Sequence, residues 1–425
     1  MSDMIIRNAR LLDPASGRDE TGEIGIVDGV FSAAGTVKNA AGVVEIDAQG
    51  LCLAPGLIDL RVKTGEPGAS QKETLATASA AAVSGGVTSM VVMPDTDPVI
   101  DDVALVEFIA RRGESTGANR IYPAGALTHG LAGEAMAEIG LMQEAGAVFF
   151  SNGETSLANA AIMKRVMSYA ASLGAAVCVR AEDADLIGSG VMNAGALAAR
   201  MGLSGMSRDA EYVRGLRDLV LAEATGCRLI IDQVSCPNLL AAITGFAKRG
   251  VDVHCTVAAH HLFFNELDVG DYRTHCKVSP PLRDEATRLA LIDAVASGAV
   301  GAVVSAHNPQ PPEEKRVPFA DAAFGAVGLE TLLAAMLSLA QDDAMSLLDA
   351  LRPLTIGPAN LAGLSGGTLA EGAQADFILF DPNKPWVCDG EALLSRSKNT
   401  PFDGRRLMGR VIETYVGGTR VFQRS

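Results

Sequence analysis

Short apolar runs rich in β-branched residues alternate with longer amphipathic stretches through the middle of the chain. Such runs predict buried parallel strands, each followed by a helix. Eight runs of this kind occur, over residues 56–60, 88–93, 120–124, 147–150, 176–179, 228–232, 252–256 and 301–305. Eight strand–helix units in succession predict an α/β barrel of the TIM type, (β/α)8, with further helices over roughly residues 329–363.

Both ends of the chain follow a different pattern, in which short strands are separated by tight turns. Strands are predicted over residues 4–12, 23–31, 42–47, 51–54, 376–381, 410–416 and 420–423. Turn dipeptides separate them, at Asp28-Gly29, Gln49-Gly50, Pro382-Asn383 and Gly417-Gly418. The simplest arrangement is one small β-sandwich domain built from residues 1–55 and 365–425, attached to a barrel formed by residues 56–364.

One predicted helix has clear start and stop signals. The sequence Ser70-Gln71-Lys72-Glu73 fits a capping box, in which the first and fourth side chains satisfy backbone amides at a helix start. Gly85-Gly86 fits a helix end, because glycine readily adopts the left-handed backbone found there. The two signals predict a helix that begins at the box and continues through Val83.

Composition narrows the function classes without choosing one. The chain has 425 residues, 48% of them hydrophobic and 20% charged, and its net charge is −15. A nucleic-acid or anionic membrane surface would require a basic face, so we expect neither partner. We predict no signal peptide, and the apolar run over 329–340 is too short to span a bilayer. The seven scattered cysteines predict reduced thiols in a cytoplasmic protein.

In a barrel of this type, functional side chains follow the carboxyl ends of the strands. The positions after the predicted strands carry charged and polar residues, among them Arg61, Lys63, Asp95, Asn152, Arg180, Glu182, Gln233 and His307. Charges of both signs therefore meet at one end of the predicted barrel.

Several of these segments resemble one known family. The segment APGLIDLRVKTGEPG at residues 54–68 resembles the opening signature of the cyclic amidohydrolases, and of type I dihydroorotase most closely. VVMPDT at 91–96, RAED at 180–183, KVSPPLR at 277–283 and KNTPFDG at 398–404 extend the resemblance almost from end to end. The resemblance implies a barrel with a β domain, and in active members a zinc-dependent hydrolysis of dihydroorotate to carbamoyl aspartate.

The sequence departs from the family at every metal-ligand position that can be aligned. Arg61 and Lys63 replace the family's two histidines after the first strand, and Asn152 replaces its aspartate after the fourth. Arg180 and Gln233 replace its histidines after the fifth and sixth strands. Ala306 replaces its aspartate after the eighth. Zinc needs lone-pair donors, and a protonated guanidinium has none to offer. Without the metal there is no activated water. These positions predict a degenerate catalytic site with no metal and no other cofactor.

Positions that hold the substrate in the family differ as well. Gly65 stands where the family has an arginine, while Asp95 and Ser279 stand where it has asparagines. An acidic substrate would lose its carboxylate clamp, because Gly65 offers no donor and Asp95 repels it. Loss of both binding and catalytic groups predicts a degenerate substrate site.

We therefore predict a non-catalytic dihydroorotase-like protein of pyrimidine biosynthesis, similar to the homologues that have lost the metal ligands. The resemblance implies a structural role as partner of aspartate carbamoyltransferase, and we expect a homo-oligomer. Whether the chain is an enzyme stays open. One alternative is an active dihydroorotase whose zinc is held by other residues, such as His307, Asp232 or Glu182.

The second alternative is a metal-free protein that binds a small anion through Arg61, Lys63 and Arg180. Against it stands the simpler prediction that these cations form buried ion pairs with the nearby acids and replace the charge of the metals. The adjacent His260 and His261 are predicted to be structural, because neighbouring side chains point in different directions and one metal site seldom uses both.

Overall fold

The computed structural model describes residues 3–37, 43–116 and 118–424. Eight parallel barrel strands are formed by Leu57–Val62, Val87–Val92, Arg120–Pro123 with Gly125–Ala126, Phe150–Ser151, Val177–Arg180, Leu229–Asp232, Val253–Ala258 and Ala302–Val304. Each strand pairs with the next. The Lys63 amide donates to the His307 carbonyl at 2.8 Å and joins the first strand to the eighth. The barrel is closed, and the predicted fold class is confirmed.

Helices cover the barrel, which is why its strands are buried along almost their whole length. They are Leu75–Ser84, Val103–Thr116, Ile139–Glu144, Ala160–Leu173, Ala184–Ile187, Ala196–Met201, Arg208–Thr225, Pro237–Lys248, Ala259–Phe263, Glu285–Ala296, Pro312–Lys315, Leu332–Gln341, Leu347–Leu351 and Ile356–Ala362. The short strands Met192–Asn193 and Gly205–Met206 pair outside the barrel. Within residues 3–37, 43–116 and 118–424, no helix is long and apolar enough to cross a membrane.

Strands from both ends of the chain form one eight-stranded sheet beside the barrel. They are Met4–Asp13, Arg18–Val27, Val30–Ser32, Val44–Asp47, Cys52–Pro55, Phe377–Val387, Arg406–Val416 and Thr419–Gln423. The two halves meet where Phe377 pairs with Pro55 in an antiparallel ladder. Phe377 also stacks on Tyr415, with ring centroids 4.3 Å apart. Both rings are buried, so aromatic packing stabilises the junction between the two halves of the sheet.

Three predicted features of the β domain differ in the structure. The strand predicted over 23–31 is two strands, because Asp28 and Gly29 turn the chain with φ angles of 51° and 79°. The turn predicted at Pro382-Asn383 lies inside Phe377–Val387, where an irregularity in the ladder accommodates it. The strand predicted over 42–47 begins at Val44, and residue 42 lies outside the described residues.

The predicted capping box is wrong, because the helix begins at Leu75. Thr74 caps it: the Thr74 hydroxyl accepts from the Thr77 amide at 3.1 Å, and the Thr77 hydroxyl accepts from the Thr74 amide at 3.0 Å. Glu73 instead turns inward, fully buried, and accepts hydrogen bonds from the Ser395 hydroxyl and the Arg396 amide. Because the Glu73 carboxylate accepts these hydrogen bonds in the interior, it does not cap the helix.

Candidate functional site

The guanidinium of Arg61 bridges two carboxylates at the carboxyl end of the first barrel strand. Its Nη1 lies 2.6 Å from Asp232 Oδ2, and its Nη2 donates to Glu154 Oε1 at 2.8 Å. Asp232 also accepts a hydrogen bond from the Thr256 hydroxyl at 2.7 Å. Only 3% of the Arg61 side chain and 4% of the Asp232 side chain are exposed, so each charge is paired inside the protein.

Arg180, at the end of the fifth strand, extends the same network. Its Nη1 donates to Glu154 Oε2 at 2.7 Å, and its Nε lies 3.0 Å from Glu182 Oε2. Its Nη2 donates to the Ser279 hydroxyl at 2.7 Å. Lys63 completes the set with Nζ 2.7 Å from Asp95 Oδ2. The structure thus brings Arg61, Lys63, Arg180, Asp95 and Glu182 together, as the strand-end positions predict, and Ser279 lies beside them.

Glu154 is the residue that sequence reasoning missed. It follows Gly153 in the loop after the fourth strand, and its carboxylate lies between the guanidinium groups of Arg61 and Arg180. Burial alone would raise the pKa of Glu154, but Arg180, Arg61 and Lys63 outweigh burial and lower the pKa to about 2. Its place two residues after Asn152, in a loop at the same end of the barrel, was the available signal.

Replacing Glu154 with glutamine (E154Q) is expected to lower the free energy of unfolding by about 1–2 kcal/mol at pH 7, a value reduced for solvent screening because 35% of the side chain is exposed. The folded pKa is lowered, so this stability is present above the ordinary pKa of 4.5 and is lost as the pH falls towards 2. Urea unfolding of both proteins at pH 7 and pH 3 checks this. An equal difference at the two pH values would contradict it.

Three other predicted positions have structural roles. The Asn152 amide donates to the Thr128 hydroxyl at 3.0 Å, inside the protein. Gln233 and Ala306 both adopt left-handed backbone, with φ of 52° and 51°. This conformation costs a residue with a Cβ about 1–2 kcal/mol. The strand ends therefore keep a strained backbone at two positions where the family has metal ligands.

The Gly65 loop is folded too tightly for any side chain. A Cβ on Gly65 would lie 1.8 Å from the Ala69 carbonyl oxygen. The loop is held by the Gly65 amide, which donates to the Glu73 carbonyl at 2.9 Å, and by the Ala69 amide, which donates to the Gly65 carbonyl at 2.5 Å. An arginine at position 65, as in the family, would require this loop to open.

Replacing Gly65 with alanine (G65A) is expected to lower the free energy of unfolding by about 1–3 kcal/mol, because the added methyl group overlaps backbone. Gly245→Ala is the matched control, since a Cβ on that helical glycine meets nothing within 4 Å. The control should leave stability unchanged or raise it by up to about 1 kcal/mol. Chemical denaturation measures both variants, and equal stabilities would rule out the tight loop.

The histidines near the barrel mouth are buried and held by structural contacts. His307 Nε2 lies 3.4 Å from Glu73 Oε2, and its Nδ1 accepts from the Gly328 amide at 3.4 Å. His261 Nε2 donates to the Pro280 carbonyl at 2.9 Å, and the ring of His260 lies 4.5 Å from that of His261. Burial lowers the pKa of His261 to about 4.

The space left among these side chains is small. A cavity of about 20 Å³ lies between Arg61, Lys63, Glu154 and Ser279, which is room for about one water molecule. The three cations Arg61, Lys63 and Arg180 pair with four carboxylates, those of Asp95, Glu154, Glu182 and Asp232. With every acid ionised the network carries one net negative charge, which does not favour a further anion.

The closed barrel, the sheet built from both termini and the charged strand ends define an amidohydrolase architecture. Models of the dihydro-orotase-like family and of the amidohydrolase family match residues 50–238 and 324–422. The dihydroorotase of Desulforapulum autotrophicum is 39% identical over 426 residues, covering 99% of this chain and 100% of that protein. That of Anaeromyxobacter dehalogenans is 40% identical over 427 residues, covering 100% and 99%.

The solved L-hydantoinase (dihydropyrimidinase) from Arthrobacter aurescens superposes with a TM-score of 0.88 at 27% identity, covering 100% of this chain and 97% of that one. The dihydropyrimidinase from Brevibacillus agri, at 21% identity and a TM-score of 0.86, shares the fold and covers 99% of this chain and 95% of its own. The chain belongs to the dihydroorotase family.

Zinc is the metal that the family resemblance implies, so its fit to these residues can be tested. In the part of the chain that the structure describes, no group of three or more His, Cys, Asp or Glu side chains is arranged to hold a metal ion. Asp232 and Glu182 are each paired with an arginine, and His307 faces Glu73. The atypical ligand set suggested by the sequence is therefore not assembled, and this arrangement does not fit zinc.

Proposed function

We propose that this chain is a non-catalytic dihydroorotase homologue of pyrimidine biosynthesis that serves as a structural partner of aspartate carbamoyltransferase. The observation that carries the proposal is the network in which Arg61 and Arg180 both form ion pairs with Glu154. Guanidinium groups have no lone pair for a metal, and they stay protonated at all ordinary pH values. A barrel mouth filled in this way lacks the activated water that amide hydrolysis needs.

Metal content and turnover test the loss of activity on one sample. The chain is produced with zinc supplementation, its metal is measured by mass spectrometry, and dihydroorotate hydrolysis is assayed. The dihydroorotase of Desulforapulum autotrophicum, prepared in parallel, is the positive control. We expect zinc well below one equivalent and no turnover. One equivalent of zinc together with turnover would overturn the proposal.

The partner is tested separately, by mixing the purified chain with the aspartate carbamoyltransferase of the same organism. The support for this partner is the resemblance to non-catalytic homologues. Size-exclusion chromatography should show co-elution, and transferase activity should change on mixing. The elution volume of the isolated chain in the same experiment gives its oligomeric state, and we expect a homo-oligomer. Separate elution with unchanged transferase activity would argue strongly against the scaffold role.

An active dihydroorotase is the second candidate, because the curated relatives carry that name along the whole chain. It would require Arg61 and Arg180 to leave the mouth so that other groups could bind zinc. The small-anion alternative is disfavoured by the net charge of the network. A thermal shift assay with carbamoyl aspartate and with dihydroorotate tests it, and we expect no shift with either.

A further inference from the structure

A separate cavity of about 540 Å³ lies at the opposite end of the barrel from the candidate site. Arg228 and Gly301, which line it, immediately precede the sixth and eighth barrel strands, and His254 is the second residue of the seventh. The strands are parallel, so their amino ends face away from Gln233 and Ala306 at the carboxyl ends. The cavity is therefore distinct from the ion-pair network.

The walls of this cavity combine aliphatic and polar side chains. Side chains from the helix Glu285–Ala296, from the loop after it and from the segment around Ile356–Ala362 provide the apolar surface, namely Val295, Val300, Pro353, Ile356 and Leu361. Ala15, from a turn of the β domain, closes one side. Small-molecule sites occupy about 300–1,000 Å³ and combine such walls with a few polar groups, so the size and lining are suitable.

Two arginines give the cavity an excess of positive charge. Arg228 Nη2 donates to the Asn360 carbonyl at 2.6 Å, while its buried Nε has no hydrogen-bond partner among the described residues. The Arg352 side chain makes no ion pair and donates no hydrogen bond within the described ranges. The Asp349 carboxylate at the cavity already accepts from the Ser346 hydroxyl at 2.5 Å.

The remaining titratable group, His254, is held by its own neighbour. Its Nε2 lies 2.8 Å from Asp252 Oδ1, and Asp252 itself does not line the cavity. In a chain with a net charge of −15, the residues that line this cavity thus include two arginines and one carboxylate, with the Asp252 carboxylate behind His254. The guanidinium groups of Arg228 and Arg352, which both line the cavity, can donate hydrogen bonds to an acceptor from outside the chain.

We propose that this cavity binds a small organic anion, with a carboxylate or phosphate between Arg228 and Arg352 and a compact apolar or planar body against the aliphatic walls. The site does not depend on the chemistry of the barrel mouth. Guanidinium groups bind both kinds of anion through paired hydrogen bonds, and the aliphatic walls favour an anion with an apolar body over an inorganic ion.

Ligand-observed NMR with benzoate as the probe tests the proposal on the full chain. Benzamide is the neutral analogue of the same shape, and inorganic phosphate is the anion without an apolar body. We expect saturable binding of benzoate, at least about tenfold tighter than that of benzamide or phosphate, which corresponds to about 1.4 kcal/mol. Equal binding of the three probes, or no saturable binding of benzoate, would overturn the proposal.

Variants separate the site from non-specific association. Arg352→Met keeps the apolar stem of an exposed side chain and removes its charge, and should weaken benzoate binding at least fivefold. Arg165→Met, on a helix that does not line the cavity, is the matched control and should bind as the wild type does. Ser297→Trp, at an exposed rim position, should block binding while both arginines remain. Unchanged affinity in Arg352→Met and Ser297→Trp would refute the site.

Discussion

Replacing Arg61 with methionine (R61M) is expected to lower the free energy of unfolding by about 3–5 kcal/mol. Methionine fills much of the same volume, so packing changes little. The cost arises because Asp232, with 4% of its side chain exposed, would keep a buried charge without its partner. Glu154 would lose one of its two guanidinium contacts as well. Urea denaturation followed by circular dichroism measures the change.

The double variant R61M/D232N tests whether the cost comes from the unpaired carboxylate. It removes both charges, and we expect it to recover at least half of the stability lost in R61M. Arg249→Met is the surface control, because its pair with Glu223 has side chains 51% and 43% exposed. It should cost no more than about 1 kcal/mol. A loss in R61M as small as in this control would contradict a stabilising buried network.

The barrel was predictable because its strands are buried on both faces. Val87–Val92 is buried at every residue, and its sequence is rich in β-branched and apolar side chains, which is a strong local signal. Boundaries were less accurate where a pattern had two interpretations. Phe377–Val387 continues through Pro382-Asn383, since the ladder irregularity there accommodates a proline that local preferences place in a turn.

Pairings across the site were only partly predictable. The cations at the strand ends were found from the barrel architecture, and their charge predicted acidic partners. Glu154 could not be singled out, because its role depends on how the loop after the fourth strand places it between Arg61 and Arg180. Glu73 was misassigned for the same reason: its partners, Ser395 and Arg396, are more than 300 residues away along the chain.

The substitutions at the mouth form a physically consistent set. Arg61 and Arg180 bring positive charge to positions that the family resemblance aligns with metal ligands, and Glu154 with Asp232 balances it. Removing Arg61 leaves the buried Asp232 carboxylate without a guanidinium partner, and removing Arg180 does the same to Glu182, so the paired charges stabilise one another. Because of this coupling, we expect that a histidine restored at a single position would not recreate a metal site.

The protein is expected to lose about 3 kcal/mol of stability through His261 alone as the pH falls from 6.5 to 4. Burial lowers the pKa of His261 to about 4, and the positive charges of Arg283 and Arg180 contribute. Between these pH values the unfolded chain binds a proton and the folded chain does not, so acid favours unfolding. Each pKa unit corresponds to about 1.4 kcal/mol, and the side chain is only 2% exposed, so the full shift applies.

His261→Gln keeps a donor for the Pro280 carbonyl but cannot titrate. Between pH 6.5 and pH 4.5, the stability of this variant should fall by about 2 kcal/mol less than that of the wild type. His129→Gln, at a side chain that is 52% exposed, is the control for replacing a histidine outside the core. Urea denaturation at half-unit pH steps gives both curves. The Glu154 effect lies below pH 4.5 and does not overlap, so parallel curves for wild type and His261→Gln would show that His261 is protonated in the folded protein.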